Sequence, residues 1–471
     1  MKIQLINAPL SSKYSTTIRA AAFPPLNLIA LATHIKKHYS TCEIEIVDGE
    51  LTDTSLIIQR LDGDIVGISS NTLTYDNALS IAKAAKNVKA KVIIGGPHAS
   101  VVGESILRNR PFIDVAVYGD GENALLSLIR GYDYEQIPNI IFRRGNHFIR
   151  TERNNVPFEN IPFPDYSLHD ITPYSQRFRS IYPRKPFHKP FAIFSAKGCY
   201  WRMISKGCIF CAVTHSELRM KNPKKVWDEI IWHQDKWGAD FMWDTSDTFT
   251  MQKEWIKEFV RLKPTDCKVH FHIYGRSNDI DEEKAKLLCK LGVYEILIGF
   301  ESGNDRILEN TGKGIKVASS RKAVQILHDY GIKVIPSIIL GLPGETKESI
   351  DDSCNFVKEL IDQYDIQEGY CSMVLPLPGS RMMKRLIDLP ESAIDRESDK
   401  FDLERLRHIW IENFTDVSYD LVLSRQSEIL SLFPLAGSLA KPLEKFSDKI
   451  NIGKESHKNE RIYEIENAFA I

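Results

Sequence analysis

Short apolar runs alternate with amphipathic stretches through the first quarter of the chain. KIQLINAP, EIEIVDGE, DIVGISS, KVIIGGP and VAVYGDG read as strands, with NLIALATHIKKH, NALSIAKAAKN, ESILRNR and ENALLSLI as helices between them. Strands that are almost continuously apolar, each followed by a segment of helical period, predict a parallel sheet covered on both faces. The expectation is an α/β fold: a doubly wound, Rossmann-like domain over residues 1–135. Residues 136–189, rich in Pro, Asn and aromatics, read as a linker with a β-hairpin at Arg144-Gly145-Asn146.

A second alternation starts at FAIFSAK and gives about six β/α units, too few to close an eight-fold barrel. A partial (β/α)6 barrel over 190–383 is predicted, with its active face at the C-terminal ends of the strands. In KVHFHIYGR, His270, His272, Tyr274 and Arg276 share one parity and Val269, Phe271 and Ile273 the other, so one face is polar and should line a cavity. From residue 384 the pattern turns helical (LERLRHIWIENF, LVLSRQSEILSLF), predicting a small helical C-terminal cap over 384–471. Its charged, weakly patterned end is expected to be partly disordered.

Composition narrows the field. A chain of 471 residues is too long for one ordinary domain, and 43% hydrophobic and 26% charged residues with a net charge of −1 argue against disorder, a membrane span or a basic nucleic-acid binder. MKIQLINAPL starts on a strand pattern with no secretory signal, which points to the cytoplasm. Cys42, Cys267, Cys289, Cys354 and Cys371 are scattered singly in apolar segments and read as buried free thiols.

The other three cysteines lie together in KGCYWRMISKGCIFC. Cys208 and Cys211 have the spacing of two ligands to one metal centre, and Cys199 can return as a third; such soft donors select zinc or an iron-sulfur cluster. His215 could complete a Cys3His zinc knuckle, and spacing alone leaves the two readings equal. Later strand ends tip the balance, because only a cluster that binds a small charged molecule needs them: Asp244, Ser246 and Asp247 in WDTSDT, Arg276, then Glu301 and Ser302 in IGFESGN. The glycines and proline of SIILGLPGET fit a backbone passing close to a flat ligand.

With WDTSDTFT, IGFESG, GIKVIPSIILGLPGET and VLPLPGS, the cysteine loop resembles the radical S-adenosylmethionine (SAM) enzymes over about residues 190–382. The resemblance implies a [4Fe-4S] cluster on Cys199, Cys208 and Cys211 with SAM on the fourth iron. It places Phe210 near the adenine, Glu301 at the ribose, Ser246 and its neighbours at the methionine amino group, and Arg276 at the ribose or carboxylate. The family's common first gap is three residues and here it is eight. The intervening YWRMISKG is therefore where contacts to substrate or cobalamin are expected.

In the first domain the loops SSNT, GGPHAS and YGDGE follow strands, where a doubly wound sheet binds its ligand, and no GxGxxG suggests a dinucleotide. With PPLNLIALATHIKK and PFPDYS they resemble the cobalamin-binding domain that precedes the barrel in one radical SAM subclass. By that resemblance Ser69, Thr72, Gly95, Gly96, Pro97, His98, Gly119, Gly121 and Glu122 surround the corrin and its tail. No Asp-x-His-x-x-Gly motif supplies a cobalt ligand, and a hydrogen-bonding role suits His98 better.

Together these features lead to the expectation of a cobalamin-dependent radical SAM methyltransferase: a 5'-deoxyadenosyl radical takes hydrogen from an unactivated carbon, and methylcobalamin supplies the methyl group. Tyr274 and Arg276 are the catalytic candidates. The implied partners are a small-molecule or peptide substrate, the peptide favoured by Tyr200-Trp201, and an electron donor such as flavodoxin or ferredoxin; nucleic acid is not one. Alternatives are a cyclase or rearrangement enzyme with the same cofactors, or a zinc-binding non-enzyme.

Overall fold

A computed structural model describes residues 1–11, 22–215 and 217–434; the charged C-terminal stretch lies outside the described residues. Seven strands make the first sheet: β1 (Lys2–Asn7), β2 (Glu43–Asp48), β3 (Ile65–Ser69), β4 (Lys91–Gly95), β5 (Val115–Val117), β6 (Ile140–Arg144) and β7 (His147–Arg150), in the order 2-1-3-4-5-6-7. The first five are parallel, as their apolar runs predict. Strand order reverses between β1 and β3, so the ligand crevice of such a sheet lies at Asn7 and Ser69.

The hairpin forms where Arg144-Gly145-Asn146 predicts it, but it belongs to this sheet rather than to a linker. β6 pairs antiparallel with the short β5, so the sheet runs on to Arg150, beyond the boundary at residue 135. Left bare, the edge of β5 would present unpaired backbone groups. The connection that follows is also packed: Tyr166 of PFPDYS is buried, bonds the Ala192 carbonyl at 3.0 Å and lies edge-on to Phe191.

The second sheet contains β8 (Pro190–Ile193), β11 (Phe241–Asp244), β12 (His270–Gly275), β13 (Val293–Glu301), β14 (Lys333–Leu340) and β15 (Tyr370–Met373), adjacent in chain order and all parallel. This is the open half-barrel that six β/α units predict. A two-residue ribbon, β9 (Ala196–Lys197) with β10 (Arg219–Met220), closes the cysteine loop at its base. On β12, Phe271 and Ile273 are buried outward under the helices, while His272 and Tyr274 are only half-buried on the inner face.

Helices Leu403–Phe414 and Tyr419–Leu432 cover the open β15 side. Trp410 bonds the Gly341 carbonyl at 2.9 Å and Gln426 the Cys371 carbonyl at 3.0 Å. The GLPGET turn serves this packing; its Pro343 and Gly344 line a separate open cavity of about 430 Å³, while Ser337 and Ile339 of the strand before it line the cavity that holds the three cysteines. Gly341 has φ +86°, and a Cβ there would stand 2.5 Å from Val374.

Inside that turn the Glu345 carboxylate accepts from the Gly341 N–H, and its other oxygen is buried without a partner. Burial lifts its pKa from the ordinary 4.5 to about 8, against the pull of the Gly341 and Leu342 amides.

Between the segments, Asp399 of the C-terminal region is 2% exposed and accepts from Tyr75 Oη (2.5 Å) and Arg110 Nε (2.7 Å), while its backbone carbonyl accepts from His98 Nε2 (2.9 Å). The cap is thereby tied to the GGPHAS loop of the first sheet.

Two outcomes follow for stability. Asp399→Ala strands Arg110 and should cost roughly 2–4 kcal/mol, against about 1 kcal/mol for Tyr75→Phe; denaturant unfolding that finds both neutral contradicts the tie. Between pH 4.5 and 8 folded Glu345 keeps a proton that the unfolded chain releases. This group's contribution to stability therefore falls as pH rises, by up to about 1.4 kcal/mol per pH unit. Glu345→Gln should remove that slope and raise stability at the alkaline end, and unfolding curves with unchanged pH dependence would refute it.

Candidate functional site

Two cavities meet at the C-terminal ends of the two sheets. The larger, about 590 Å³, opens at the strand reversal between Asn7 and Ser69 and is roofed by the half-barrel through Ala196, Lys197, Trp243 and His215. It reaches down between the sheet and helix Leu26–His38, where Leu5, Gly67, Ile93 and Leu31 form an apolar slot. Ser69, Gly95, Gly96, Pro97, Gly119, Gly121 and Glu122 all line it. Gly96 has φ +94°, and a Cβ there would fall 2.6 Å from the Ser70 carbonyl, so this tight turn into helix Pro97–Asn109 requires glycine.

The smaller cavity, about 340 Å³, is lined by Cys199, Cys208, Phe210, Cys211, Tyr274, Arg276 and Glu301. Thr72 and His98, read from sequence as neighbours of the corrin, line this cavity instead. Thr72 Oγ1 and His98 Nδ1 lie 3.1 Å apart, and Nε2 is held by the Asp399 carbonyl. Both ring nitrogens are engaged, and burial holds the imidazole at about 4, hence neutral. Pro97, Val213, Thr245 and Asp247 line both cavities.

The three thiols fit a cluster better than a single ion. All three line one cavity, and thiolates are the ligands an iron-sulfur cluster takes. His215, the proposed fourth zinc ligand, lines the other cavity. Burial pushes the Cys208 thiol up to about 11 and also raises Cys211; coordination by a soft metal would reverse this by deprotonating them.

Glu301 is a non-glycine residue at φ +64°, beside a register shift in β13. Such strain marks positions fixed by their surroundings. Here the fixing group is Lys313, which bonds both Glu301 and, at 2.6 Å, the Gly299 carbonyl. No pattern in the sequence singles out Lys313. Arg276 is 4% exposed; its guanidinium donates to the Lys313 carbonyl and lies 4.7 Å from the Trp201 ring centroid. Tyr274 stands on the inner face near Trp243. Its neighbour His272 is tied through Nδ1 to Glu295 at 2.7 Å, and that carboxylate takes two bonds from Lys185.

Two predicted contacts point elsewhere. Ser246 is 1% exposed and receives the Ser195 and Ala196 amides while donating to Asp244, and Ser302 faces Ser353 at 3.2 Å; neither lines a cavity. Their neighbours Thr245, Asp247 and Glu301 do. The segment between the first two cysteines folds into the short helix Tyr200–Ile204 and lines neither cavity. Trp201 anchors it by bonding the Gly312 carbonyl at 2.9 Å, while Met203 and Ile204 are more than half exposed.

Iron analysis separates the ligands. After anaerobic reconstitution His215→Ala should keep the iron and sulfide of the unaltered protein, whereas Cys208→Ala should lose most of both; iron loss in the histidine variant would make His215 a ligand.

Comparison with known proteins agrees with this geometry. A model of the radical SAM superfamily matches residues 195–357 and one of the B12 binding domain residues 19–129. The chain is 29% identical over 406 residues to an uncharacterized methyltransferase of Pyrococcus horikoshii, covering 82% of this chain and 83% of that protein. It is 26% identical over 395 residues to the anaerobic magnesium-protoporphyrin IX monomethyl ester cyclase of Rubrivivax gelatinosus, covering 79% and 68%. The radical SAM methyltransferase TsrM of Kitasatospora setae, solved with cobalamin and a [4Fe-4S] cluster, shares the fold with a TM-score of 0.62 at 18% identity, over 82% of this chain and 74% of that one. The chain thus carries a radical SAM domain and, before it, a B12 binding domain, and the two cavities that share a wall lie one in each.

Proposed function

We propose that the protein is a cobalamin-dependent radical SAM methyltransferase acting on an unactivated carbon. The observation that carries this is the wall of Pro97, Val213, Thr245 and Asp247 common to both cavities, which lets one substrate face both cofactors. When bound, the cluster with SAM supplies a 5'-deoxyadenosyl radical and cobalamin supplies the methyl group.

The chain's own part is to bind, orient and keep water out. Cys199, Cys208 and Cys211 would hold the cluster. The Glu301–Lys313 pair, with Phe210 and Arg276 nearby, would form the SAM wall; Ser69, Gly95, Gly96, Gly119, Gly121 and Glu122 would hold the corrin and its tail, with the apolar slot beneath. Trp243 lines the larger cavity and Tyr274 the smaller one, on the inner face of the half-barrel. We read the chain as a cobalamin-binding unit reaching about residue 150, a packed connection, the half-barrel from about 190 and the helical cap from about 384. A reduced flavodoxin or ferredoxin would provide the electron, in the cytoplasm. Among the described residues no helix is long and apolar enough to cross a membrane.

Similarity to the Rubrivivax cyclase favours a second reading, oxidative cyclisation with the same cofactors. Anaerobic protein given titanium(III) citrate, cobalamin and SAM labelled in its methyl group should put label on cobalamin as well as form 5'-deoxyadenosine. If 5'-deoxyadenosine forms and cobalamin stays unlabelled, the methyltransferase reading fails in favour of the second.

A further inference from the structure

The loop that carries the three cysteines leaves and rejoins the half-barrel through the β9–β10 ribbon, where Lys197 is paired with Arg219 and Ala196 with Met220. Asp120, from the loop after β5 in the other sheet, reaches into this base. Its Oδ1 accepts from Lys197 Nζ at 2.9 Å, and its Oδ2 accepts from Arg219 Nη2 at 2.8 Å and from the Val156 N–H at 3.2 Å. One carboxylate thus holds both strands of the ribbon, and it is 2% exposed.

Asp120 is itself held from behind. Its carbonyl accepts from the side chain of Asn139, a fully buried residue at φ +63°. Both neighbours of Asp120, Gly119 and Gly121, line the large cavity together with Lys197, which stands two residues before Cys199.

From this we infer that Asp120 is a positioning residue that sets the cysteine loop at a fixed place relative to the corrin-side loops, and so fixes the separation of the two cofactors. The inference rests on the reading that both are bound. Two charge-assisted bonds to one carboxylate define direction as well as contact. Without them Lys197 keeps only the longer pair with Glu122 at 3.8 Å and Arg219 the one with Glu217 at 3.9 Å, and what remains at the base, the ribbon and the bonds of the Ala196 and Gly198 amides to Ser246 and Asp247, ties it to its own half-barrel and not to the corrin-side sheet. A buried ion pair can also be merely structural, so the test must read geometry rather than stability.

The full chain and Asp120→Asn are loaded anaerobically with iron, sulfide and hydroxocobalamin, and bound iron and cobalamin are measured first. Each is then reduced, and the microwave power that half-saturates the cluster EPR signal is compared with and without cob(II)alamin, a nearby paramagnet that speeds cluster relaxation. Asp120→Asn should load both cofactors and lose most of the cobalamin-induced rise in that power, while Asp120→Glu, which keeps the charge, recovers part of it. An undiminished rise in fully loaded Asp120→Asn overturns the inference. If the unaltered chain fails to bind either cofactor, the functional reading fails instead. Should Asp120→Asn not fold, Arg219→Gln, which keeps the Lys197 bond, replaces it, with a smaller loss expected and no loss overturning the inference.

Discussion

A substrate carbon that loses hydrogen beside one cofactor and takes a methyl group from the other has to reach both, so their binding sites must share a wall. Most of this architecture follows from that constraint. The parallel sheet opens its crevice at the β1–β3 reversal, the half-barrel opens at its own C-terminal strand ends, and the two mouths meet at Pro97, Val213, Thr245 and Asp247. The remaining elements brace this opposition. The cap ties to the GGPHAS loop through Asp399, Tyr75 and Arg110, and helix Thr172–Ile181 ties to the end of β2 through the Tyr174–Asp48 bond of 2.8 Å. The half-barrel is left open on one side, so Trp410 and Gln426 close the β15 side with helices instead of further strands.

What the sequence made legible is what periodicity and spacing encode. Apolar runs of strand length followed by helical repeats gave both sheets, and the parity of His272 and Tyr274 against Phe271 and Ile273 gave the inner face of β12. Three soft donors within thirteen positions predict a metal centre, and the structure brings all three to one cavity. The resemblance to known families then supplied roles that no pattern could.

The rest was hidden for physical reasons. Past the last paired residue of a strand, alternation no longer says which side chain turns inward: of Asp244, Ser246 and Asp247 only Asp247 lines the cavities, with Thr245 beside it, and Ser302 lines neither. Lys313 reaches Glu301 from a loop twelve residues on, and such a partner leaves no periodic trace. A resemblance in the aromatic pair after Cys199 carries no information on how it packs: Trp201 lays its indole beneath Arg276. The hairpin was legible as a hairpin, but its attachment to β5 depends on an edge that only the assembled sheet creates.

Diffraction from crystals of the loaded protein at the iron and cobalt absorption edges would locate both metals. An iron peak bounded by Cys199, Cys208 and Cys211 and a cobalt peak in the cavity lined by Gly95, Gly96 and Glu122 are expected, with Thr245 and Asp247 between them. A cobalt peak outside that cavity, or iron replaced by a single zinc that includes His215, would contradict that arrangement.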